Sequence, residues 1–168
     1  MRINLIYAKS SNNVIGNIGN IGGLPWSIPE DMQYFMSKTN NCSVIMGRTT
    51  WESIPEKFRP LKSRKNIVLS NNPSYVAQGA VVCTTIEQSI SACETEEVWV
   101  IGGGLIYNLF IGRASRAFVT EIHCEYDGDT FAPILDYSIW REETRDDRVS
   151  VNDTKFDFVV YSKIALPL

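Results

Sequence analysis

Short apolar runs that end in glycine or polar residues recur along the chain and predict the strands of a sheet. Five runs in the first two thirds are almost continuously apolar and span residues 3–8, 43–46, 66–69, 80–83 and 98–101. Such runs are typical of strands buried on both faces of a parallel sheet. Three later segments alternate between apolar and polar residues, as antiparallel edge strands do, and span 117–124, 139–145 and 155–164.

Helices are predicted between these strands. Residues 29–38 begin with a proline, which suits the first turn of a helix, and Ser27 is a candidate N-cap. Three further helices are predicted, one behind a capping box at 85–88, one over 105–110 behind a triple glycine, and a short one from residue 48. We therefore expect one α/β domain over residues 1–168, with a mixed sheet and about four helices.

Composition and charge narrow the classes of function. The chain has 168 residues, of which 44% are hydrophobic and 21% charged, as in a folded globular domain. Its net charge of −3 and its pI near 5.2 argue against nucleic acid or an anionic membrane as the partner. No apolar stretch approaches the roughly 20 residues of a membrane-spanning helix, and the N-terminal run lacks the features of a signal peptide. We therefore expect a cytoplasmic protein. Because no apolar surface stripe requires a dimer, we also expect a monomer.

The sequence predicts no metal or redox site. The cysteines at 42, 83, 93 and 124 are widely spaced without a C-x-x-C pair, and His123 is the only histidine. Metal and redox sites need such ligands close together, so free thiols and a structural histidine are the simpler interpretation.

The first predicted helix carries two adjacent carboxylates on different faces. At about 100° per residue, Asp31 shares an apolar face with Ile28, Met32 and Phe35, whereas Glu30 points to the opposite, wet side. A carboxylate among apolar side chains loses hydration, so its pKa should rise and it becomes a candidate proton donor or relay. A second interpretation is that Asp31 only stabilises the helix start, where acids are favoured. The helical pattern alone leaves both open.

Two strand-to-helix turns are candidate anion sites. The first runs through Gly47 into residues 48–50, where backbone N–H groups, an arginine and two hydroxyls can bind a phosphate. The second is the triple glycine at 102–104, which lets the phosphates of a ligand approach the backbone. Neither turn has the G-x-G-x-x-G or Walker pattern, so each alone is equally well explained as a structural turn.

A loop rich in glycine and asparagine, G-N-I-G-N-I-G-G, follows the first strand at residues 16–23. Both residue types tolerate positive φ, so the composition predicts a mobile connection. Ile18 and Ile21 in this otherwise polar loop indicate that it covers something apolar.

Taken in order, the motifs resemble those of dihydrofolate reductase. The similar stretches are Pro25-Trp26 with Asp31, Met46-Gly47-Arg48 with Thr50-Trp51-Glu52-Ser53-Ile54, Arg64-Lys65-Asn66, Ile101-Gly102-Gly103-Gly104 with Tyr107, and Gly128-Asp129-Thr130. The resemblance runs from the first strand to at least Thr130 and implies a central, mostly parallel sheet of eight strands with an antiparallel C-terminal strand. It also implies hydride transfer from NADPH to the pteridine ring of 7,8-dihydrofolate, giving the tetrahydrofolate of one-carbon metabolism, and binding of antifolates.

The resemblance assigns roles to individual positions. Asp31 would hydrogen-bond the pterin and assist its protonation, supported by Trp26 and Thr120. Arg64, which its basic surroundings alone would mark as a solvated residue, would bind the glutamate α-carboxylate. The implied substrate-binding positions are Ile6, Ala8, Asp31, Met32, Phe35, Ile54, Leu61, Arg64, Ile101, Tyr107 and Thr120. The implied cofactor-binding positions are Ala8, Ile15, Leu24, Gly47, Arg48, Thr49, Thr50, Leu69, Ser70, Asn71, Gly102, Gly103, Gly104, Leu105, Ile106, Tyr107 and Thr130.

Some positions depart from the family pattern. The loop from 16 to 24, which would cover the nicotinamide, is several residues longer than in common bacterial forms. Leu105 stands where many relatives carry arginine and Asn71 where a second serine is common, so selectivity for NADPH would rest mainly on Arg48 and Ser70. Two alternatives remain: a pyrimidine reductase of riboflavin synthesis, and a module that binds folate or nucleotide without turnover.

Overall fold

The computed structural model describes residues 1–16 and 24–165. The predicted loop therefore lies, beyond Gly16, outside the described residues. Within the described ranges the helices are α1 (Pro29–Thr39), α2 (Arg48–Ser53), α3 (Ile86–Ser91) and α4 (Gly104–Phe110), with a short 3-10 turn at Glu56–Phe58. The strands are β1 (Arg2–Lys9), β2 (Val14–Gly16), β3 (Ser43–Gly47), β4 (Lys65–Leu69), β5 (Val81–Cys83), β6 (Glu97–Val100), β7 (Arg116–Ile122), β8 (Thr130–Phe131), β9 (Trp140–Val149) and β10 (Lys155–Lys163).

Eight of these strands form one sheet in the order β5-β4-β3-β6-β1-β7-β10-β9. The pairs from β5 to β7 are all parallel, and β10 is antiparallel to both β7 and β9. The expected fold class, a mostly parallel eight-stranded sheet with an antiparallel C-terminal strand, is confirmed. Strand β3 is buried at every position, which explains why its sequence is apolar without alternation.

Helices cover both faces of the inner strands. Successive side chains of β1 point to opposite faces, so Leu5 and Tyr7 join one core cluster while Ile6 joins another. The first cluster contains Phe110 of α4, and the second contains Trp51 of α2. No helix in the described ranges is long and apolar enough to cross a membrane.

Strand β9 is more exposed than its alternating pattern predicted. Residues 141–149 are all exposed, because β9 lies at the edge of the sheet and pairs with β10. Charged side chains along an edge strand hinder pairing with another chain. The pattern identified the strand, and its position in the sheet decides that neither face is buried.

Two local features differ from the sequence-based expectations. The N-cap of α1 is Ile28, and no side chain caps that helix, so the assignment of Ser27 as N-cap was wrong. Strands β2 and β8 form a second, two-stranded sheet that the sequence did not predict. Gly128 allows their close approach, because a Cβ there would lie 2.3 Å from Cγ1 of Val14.

Candidate active site

The two glycine turns meet at the carboxyl ends of neighbouring parallel strands. The N–H of Gly47 donates to the carbonyl of Gly102 at 2.8 Å, and the N–H of Ile101 donates to the carbonyl of Ile45 at 2.9 Å. In open α/β sheets ligands bind in the crevice at this edge. The residues predicted from separate motifs therefore converge on one side of the sheet.

Asp31 is a residue of α1, and its partly buried side chain contacts β7. The hydroxyl of Thr120 on β7 donates to Oδ1 of Asp31 at 2.6 Å. Burial raises the pKa of Asp31 above its ordinary value, and the hydrogen bond from Thr120 opposes part of that rise. Asp31 does lie in the first turn of α1, where an acid is favourable, but its carboxylate also accepts a hydrogen bond from β7, so its contacts are not confined to the start of its own helix.

The helical pattern predicted that Glu30 points into solvent, but its carboxylate is hydrogen-bonded to protein groups. Its Oε2 accepts a hydrogen bond from the hydroxyl of Ser150 at 2.8 Å, and its Oε1 accepts one from the N–H of Val151 at 2.9 Å. Both partners lie in the turn between β9 and β10. Sequence reasoning missed this contact, since nothing in a local pattern links residues that are 120 positions apart.

Trp26 lies beside the start of α1 and is 8% exposed. Its ring packs against Tyr126 at 5.3 Å between centroids, and it shares a core cluster with Ile28 and Phe156. Its buried Nε1 has no hydrogen-bond partner among the described residues. The indole therefore brings an apolar wall and a donor group to the segment just before α1.

The apolar positions predicted to bind substrate divide into buried and exposed groups. Ile6 is buried, and Phe35, Ile54, Leu61 and Ile101 are partly buried in or against its cluster. On α1, however, Met32 is 55% and Met36 is 43% exposed. The apolar face of α1 therefore does not enter the core in full, because part of it forms the open side of the cleft.

Arg64 is anchored at the far end of α1. Its Nε donates to Oγ1 of Thr39 at 2.8 Å, and its Nη2 donates to the carbonyl of Met36 at 2.6 Å. Burial lowers the pKa of the Arg64 guanidinium, which nevertheless stays protonated at any physiological pH. The eight residues from Asp31 to Thr39 separate the acid from this cation by roughly 12 Å along the helix.

The triple glycine brings the ends of β1, α2 and α4 together. Gly102 has φ +128°, and a Cβ there would lie 3.2 Å from Oγ1 of Thr50 and 3.3 Å from the hydroxyl of Tyr107. Tyr107 is buried and donates to the carbonyl of Ile6 at 2.7 Å. A Cβ on Gly104 would lie 2.9 Å from the carbonyl of Phe131. At 102 and 104 only glycine fits without strain or displaced neighbours, whereas a Cβ at Gly103 would lie 3.5 Å from Oγ1 of Thr50, an ordinary contact.

The remaining predicted cofactor positions surround these turns. Ile106 packs against Gly47, where a Cβ would lie 2.8 Å from Cγ1 of Ile106, and Ile15 and Thr130 face Gly104. Leu69 and Ser70 are buried, and Ala8 is partly buried beside Thr120. The exposed positions are Leu24, Arg48, Thr49, Asn71 and Leu105. The loop residues Ile18 and Ile21 lie outside the described residues.

Arg48 is the charged side chain of the first turn and its side chain is 55% exposed. Its Nη1 lies 3.9 Å from Oε1 of Glu52, and its guanidinium carbon lies 5.9 Å from the ring centre of Tyr75. The hydroxyl of Tyr75 donates to Oε1 of Glu52 at 2.9 Å. Arg48 is thus held loosely and stays accessible to an anion.

His123 lies outside this cleft. Its Nε2 is 3.1 Å from Oδ2 of the buried Asp157, and Nη1 of Arg145 contacts the same oxygen at 2.5 Å. These contacts connect β7, β9 and β10 and agree with a structural role. No group of metal-ligating side chains that could hold an ion is found in the described part of the chain.

The eight-stranded α/β sheet brings two glycine turns and the partly buried carboxyl group of Asp31 to the same side of the molecule. The family model for dihydrofolate reductase matches residues 2–163. Over 164 residues, 96% of this chain and 98% of the relative, the chain is 39% identical to dihydrofolate reductase of Mycobacterium tuberculosis (strain H37Rv). It is 40% identical over 163 residues to dihydrofolate reductase of Neisseria meningitidis serogroup B, again covering 96% and 98%.

A solved structure agrees with these relatives. Dihydrofolate reductase from Enterococcus faecalis, complexed with NADP(H) and RAB-propyl, is similar with a TM-score of 0.86 and 33% identity, covering 98% of this chain and 97% of that one. The chain belongs to the dihydrofolate reductase family. The resemblance stated from the motifs is therefore confirmed, together with the expected class of enzyme, an NADPH-dependent dihydrofolate reductase.

Proposed function

We propose that the chain reduces 7,8-dihydrofolate to 5,6,7,8-tetrahydrofolate with NADPH, and that Asp31 binds the pterin and assists its protonation. The contact between Asp31 and Thr120 carries the proposal. It holds a carboxylate of raised pKa at the edge of the sheet where ligands bind. Membership of the family over residues 2–163 favours the folate substrate over the pyrimidine alternative.

Asp31 is suited to bind hydrogen-bond donor groups of the pterin. A carboxylate accepts hydrogen bonds in a fixed plane, and Thr120 occupies Oδ1, so Oδ2 remains for the substrate. Its raised pKa brings proton exchange closer to neutral pH, which favours general acid catalysis. Trp26, with its buried indole N–H, would shape the pocket and orient a water near the ring.

The walls and far end of the cleft fit the rest of the substrate. Ile6, Phe35 and Ile54 offer apolar surface to the flat rings, and exposed Met32 can close over them. Arg64 would bind the α-carboxylate of the glutamate. Its anchoring to Met36 and Thr39 fixes the guanidinium, so little side-chain entropy is lost when an anion binds.

The two turns fit a dinucleotide. Side chains at Gly102 and Gly104 would press against Thr50 and Phe131, so glycines keep this turn tight, and its backbone N–H groups would bind phosphate. Arg48 supplies an accessible positive charge for the 2′-phosphate, next to Ser70. When bound, NADPH supplies the hydride, and the protein contributes alignment of the two rings and exclusion of water.

We also propose that residues 1–168 act as a single-domain monomer in the cytoplasm, with antifolates among its small-molecule ligands and no nucleic acid partner. All four cysteines are free, which suits a reducing compartment. The net charge of −3 disfavours association with nucleic acid. The relative from Enterococcus faecalis is complexed with RAB-propyl, which supports small-molecule binding by this chain.

Loss of NADPH absorbance on addition of dihydrofolate tests the function directly. We expect turnover with dihydrofolate, slower turnover with NADH, and none with a riboflavin-pathway pyrimidine. Binding of both ligands without loss of absorbance would support the non-catalytic alternative instead.

A further inference from the structure

Helix α1, which carries Asp31, begins without a side-chain cap. Its N-cap is Ile28 and Pro29 occupies the first turn, so no capping hydrogen bond fixes the helix start. Because Asp31 lies in this first turn, the position of its carboxylate depends on whatever else holds that turn in place.

The turn between β9 and β10 forms hydrogen bonds that hold the first turn of α1 in place. Ser150 and Val151 donate to the two carboxylate oxygens of Glu30 at 2.8 and 2.9 Å. Nδ2 of Asn152 donates to the carbonyl of Ser27 at 2.9 Å. Three consecutive residues of one turn thus contact the segment immediately before and within the first turn of α1.

The turn itself is ordered by its own strands. Ser150 is 4% exposed, and its N–H donates to the carbonyl of Thr154 at 2.8 Å. In the same hairpin, Phe158 of β10 pairs in register with Thr120 of β7 and stacks on Tyr34 of α1 at 4.0 Å between ring centres. The hairpin that holds Glu30 therefore also supports the strand that presents Thr120.

We propose that Glu30 is a positioning residue: the grip of Ser150 and Val151 on its carboxylate sets the placement of Asp31 against Thr120. The proposal rests on the role of Asp31 proposed above. The contacts form a closed path from Asp31 through Thr120, β7, β10 and the turn back to Glu30, the residue beside Asp31. Breaking the path at Glu30 loosens the first turn of α1 against β7, because within the described residues only the hydrogen bond from Asn152 to Ser27 then joins the turn to the helix start.

Glu30 acts through geometry and not through its charge. The N–H groups of Glu30 itself and Val151, with the Ser150 hydroxyl, hold the pKa of Glu30 below its usual range, so it stays ionised and bonded at neutral pH. The described titratable groups that interact with Asp31 are Tyr34 on α1 and Tyr107 on α4. Burial raises the pKa of both tyrosines, that of Tyr34 to about 12, so both are neutral throughout an assay range of pH.

The first variant is Glu30→Ala, which removes both acceptor oxygens. We expect turnover to fall about 3- to 10-fold, a modest case of the loss that follows displacement of a reacting group, while KM for NADPH stays unchanged. We also expect the pKa of Asp31 to fall toward its ordinary value. Burial is the largest cause of its rise, and a looser helix start admits water. Both the pH profile of the rate and a carbon-13 NMR titration of the Asp31 carboxyl group report that shift.

Two further variants separate geometry from charge. Glu30→Gln keeps an oxygen for the N–H of Val151 and an amide that can donate to the Ser150 hydroxyl, so it should restore the pH profile and the Asp31 titration. Ser150→Ala should give a smaller shift than Glu30→Ala, and combining the two should add little. Glu96→Ala, which removes an exposed glutamate at the opposite end of the sheet, is the matched control and should change nothing.

Three results would overturn the proposal. In the first, Glu30→Ala lowers the melting temperature while the Asp31 titration and the pH profile stay as in the wild type, which is a purely structural role. In the second, Glu30→Gln behaves like Glu30→Ala, which assigns the effect to charge. In the third, the effects of Glu30→Ala and Ser150→Ala add fully in the double variant. Failure of the proposed function is seen separately, as turnover that is insensitive to Asp31→Asn in the otherwise unaltered chain.

Discussion

The acid end of the cleft and its phosphate turn are built in opposite ways. At the acid end, Asp31 is partly buried and its carboxylate accepts a hydrogen bond from Thr120. At the phosphate turn, Arg48 is 55% exposed and lies 3.9 Å from Glu52, a weak surface contact.

The contrast between the buried acid end and the exposed phosphate turn fits the role that we propose for each of them. Proton transfer needs a pKa moved from its ordinary value, and burial is the cause that moves the pKa of Asp31. Recognition of a charged phosphate needs a cation that stays hydrated and accessible until the ligand arrives, because a buried unpaired arginine would be costly. Under the proposed roles, catalysis depends on contacts already made within the protein, whereas cofactor selectivity depends on a side chain left free to make them.

The largest effect should come from the acid end. Asp31→Asn removes the proton and the charge while keeping the shape, so turnover at neutral pH should fall about 10²- to 10⁴-fold, the usual contribution of a positioned general acid. Activity should recover in part at acid pH, where the substrate is already protonated. Steady-state rates between pH 5 and 8 measure this, and near-normal turnover at pH 7 would remove Asp31 from the mechanism.

At the phosphate turn, Arg48→Ala should weaken NADPH binding about 10- to 100-fold, the value of a lost charge-assisted hydrogen bond, with little change for NADH. The difference should shrink as salt is raised, because an exposed charge is screened. Fluorescence titration of both nucleotides measures the dissociation constants. Arg113→Ala, an exposed arginine paired with Glu87, serves as control. Equal losses for NADPH and NADH would show that Arg48 does not read the 2′-phosphate.

The backbone between the two ends can be tested with Gly102→Ala. Its φ of +128° and the 3.2 Å approach of a Cβ to Oγ1 of Thr50 strain any side chain there. We expect NADPH binding to weaken about 10-fold, equivalent to the 1–3 kcal/mol typical of such strain. Gly112→Ala has open space around its Cβ and should bind normally. Equal behaviour of the two variants would mean that the glycine turn does not contact the cofactor.

The smallest effect concerns stability. Burial raises the pKa of Asp31 above its value in the unfolded chain, so the folded state loses stability as the pH rises through that raised pKa. Asp31→Asn should therefore increase the free energy of unfolding at pH 8, on the order of 1 kcal/mol. The gain should vanish below about pH 4, where wild-type Asp31 is protonated in both states. Urea unfolding at both pH values measures this, and a loss at pH 8 would mean that the Thr120 bond outweighs the cost of burial.

Local pattern was enough for the main strands and helices. Continuous apolar runs such as the one at β3 identify inner strands because both faces are covered by helices. The pattern failed for β2 and β8, because strands of only three and two residues are too short to show a periodicity. It also misjudged the start of α1, since no side chain near Ser27 makes a capping hydrogen bond.

The candidate site residues show the same division between features that local pattern predicts and features that distant contacts decide. The helical pattern assigned Asp31 and Glu30 to different faces of α1, because the face of a helical residue follows from its spacing to neighbours three or four positions away. It could not find the partner of either acid: Thr120 is 89 residues from Asp31, and Ser150 is 120 residues from Glu30. Arg64 likewise belonged to a basic run by sequence, and only its bonds to Met36 and Thr39 set it at the end of the cleft.

The amino-acid sequence by itself determined which segments become strands and helices, where the chain turns on glycine, and which side chains carry charge. Those properties depend on backbone sterics and on neighbours within a few residues. Only the tertiary structure decided which carboxylate loses its water, which cation stays accessible and which turn contacts the start of the helix that carries Asp31. Hydration and hydrogen bonding of a side chain depend on atoms that folding brings together from distant parts of the chain.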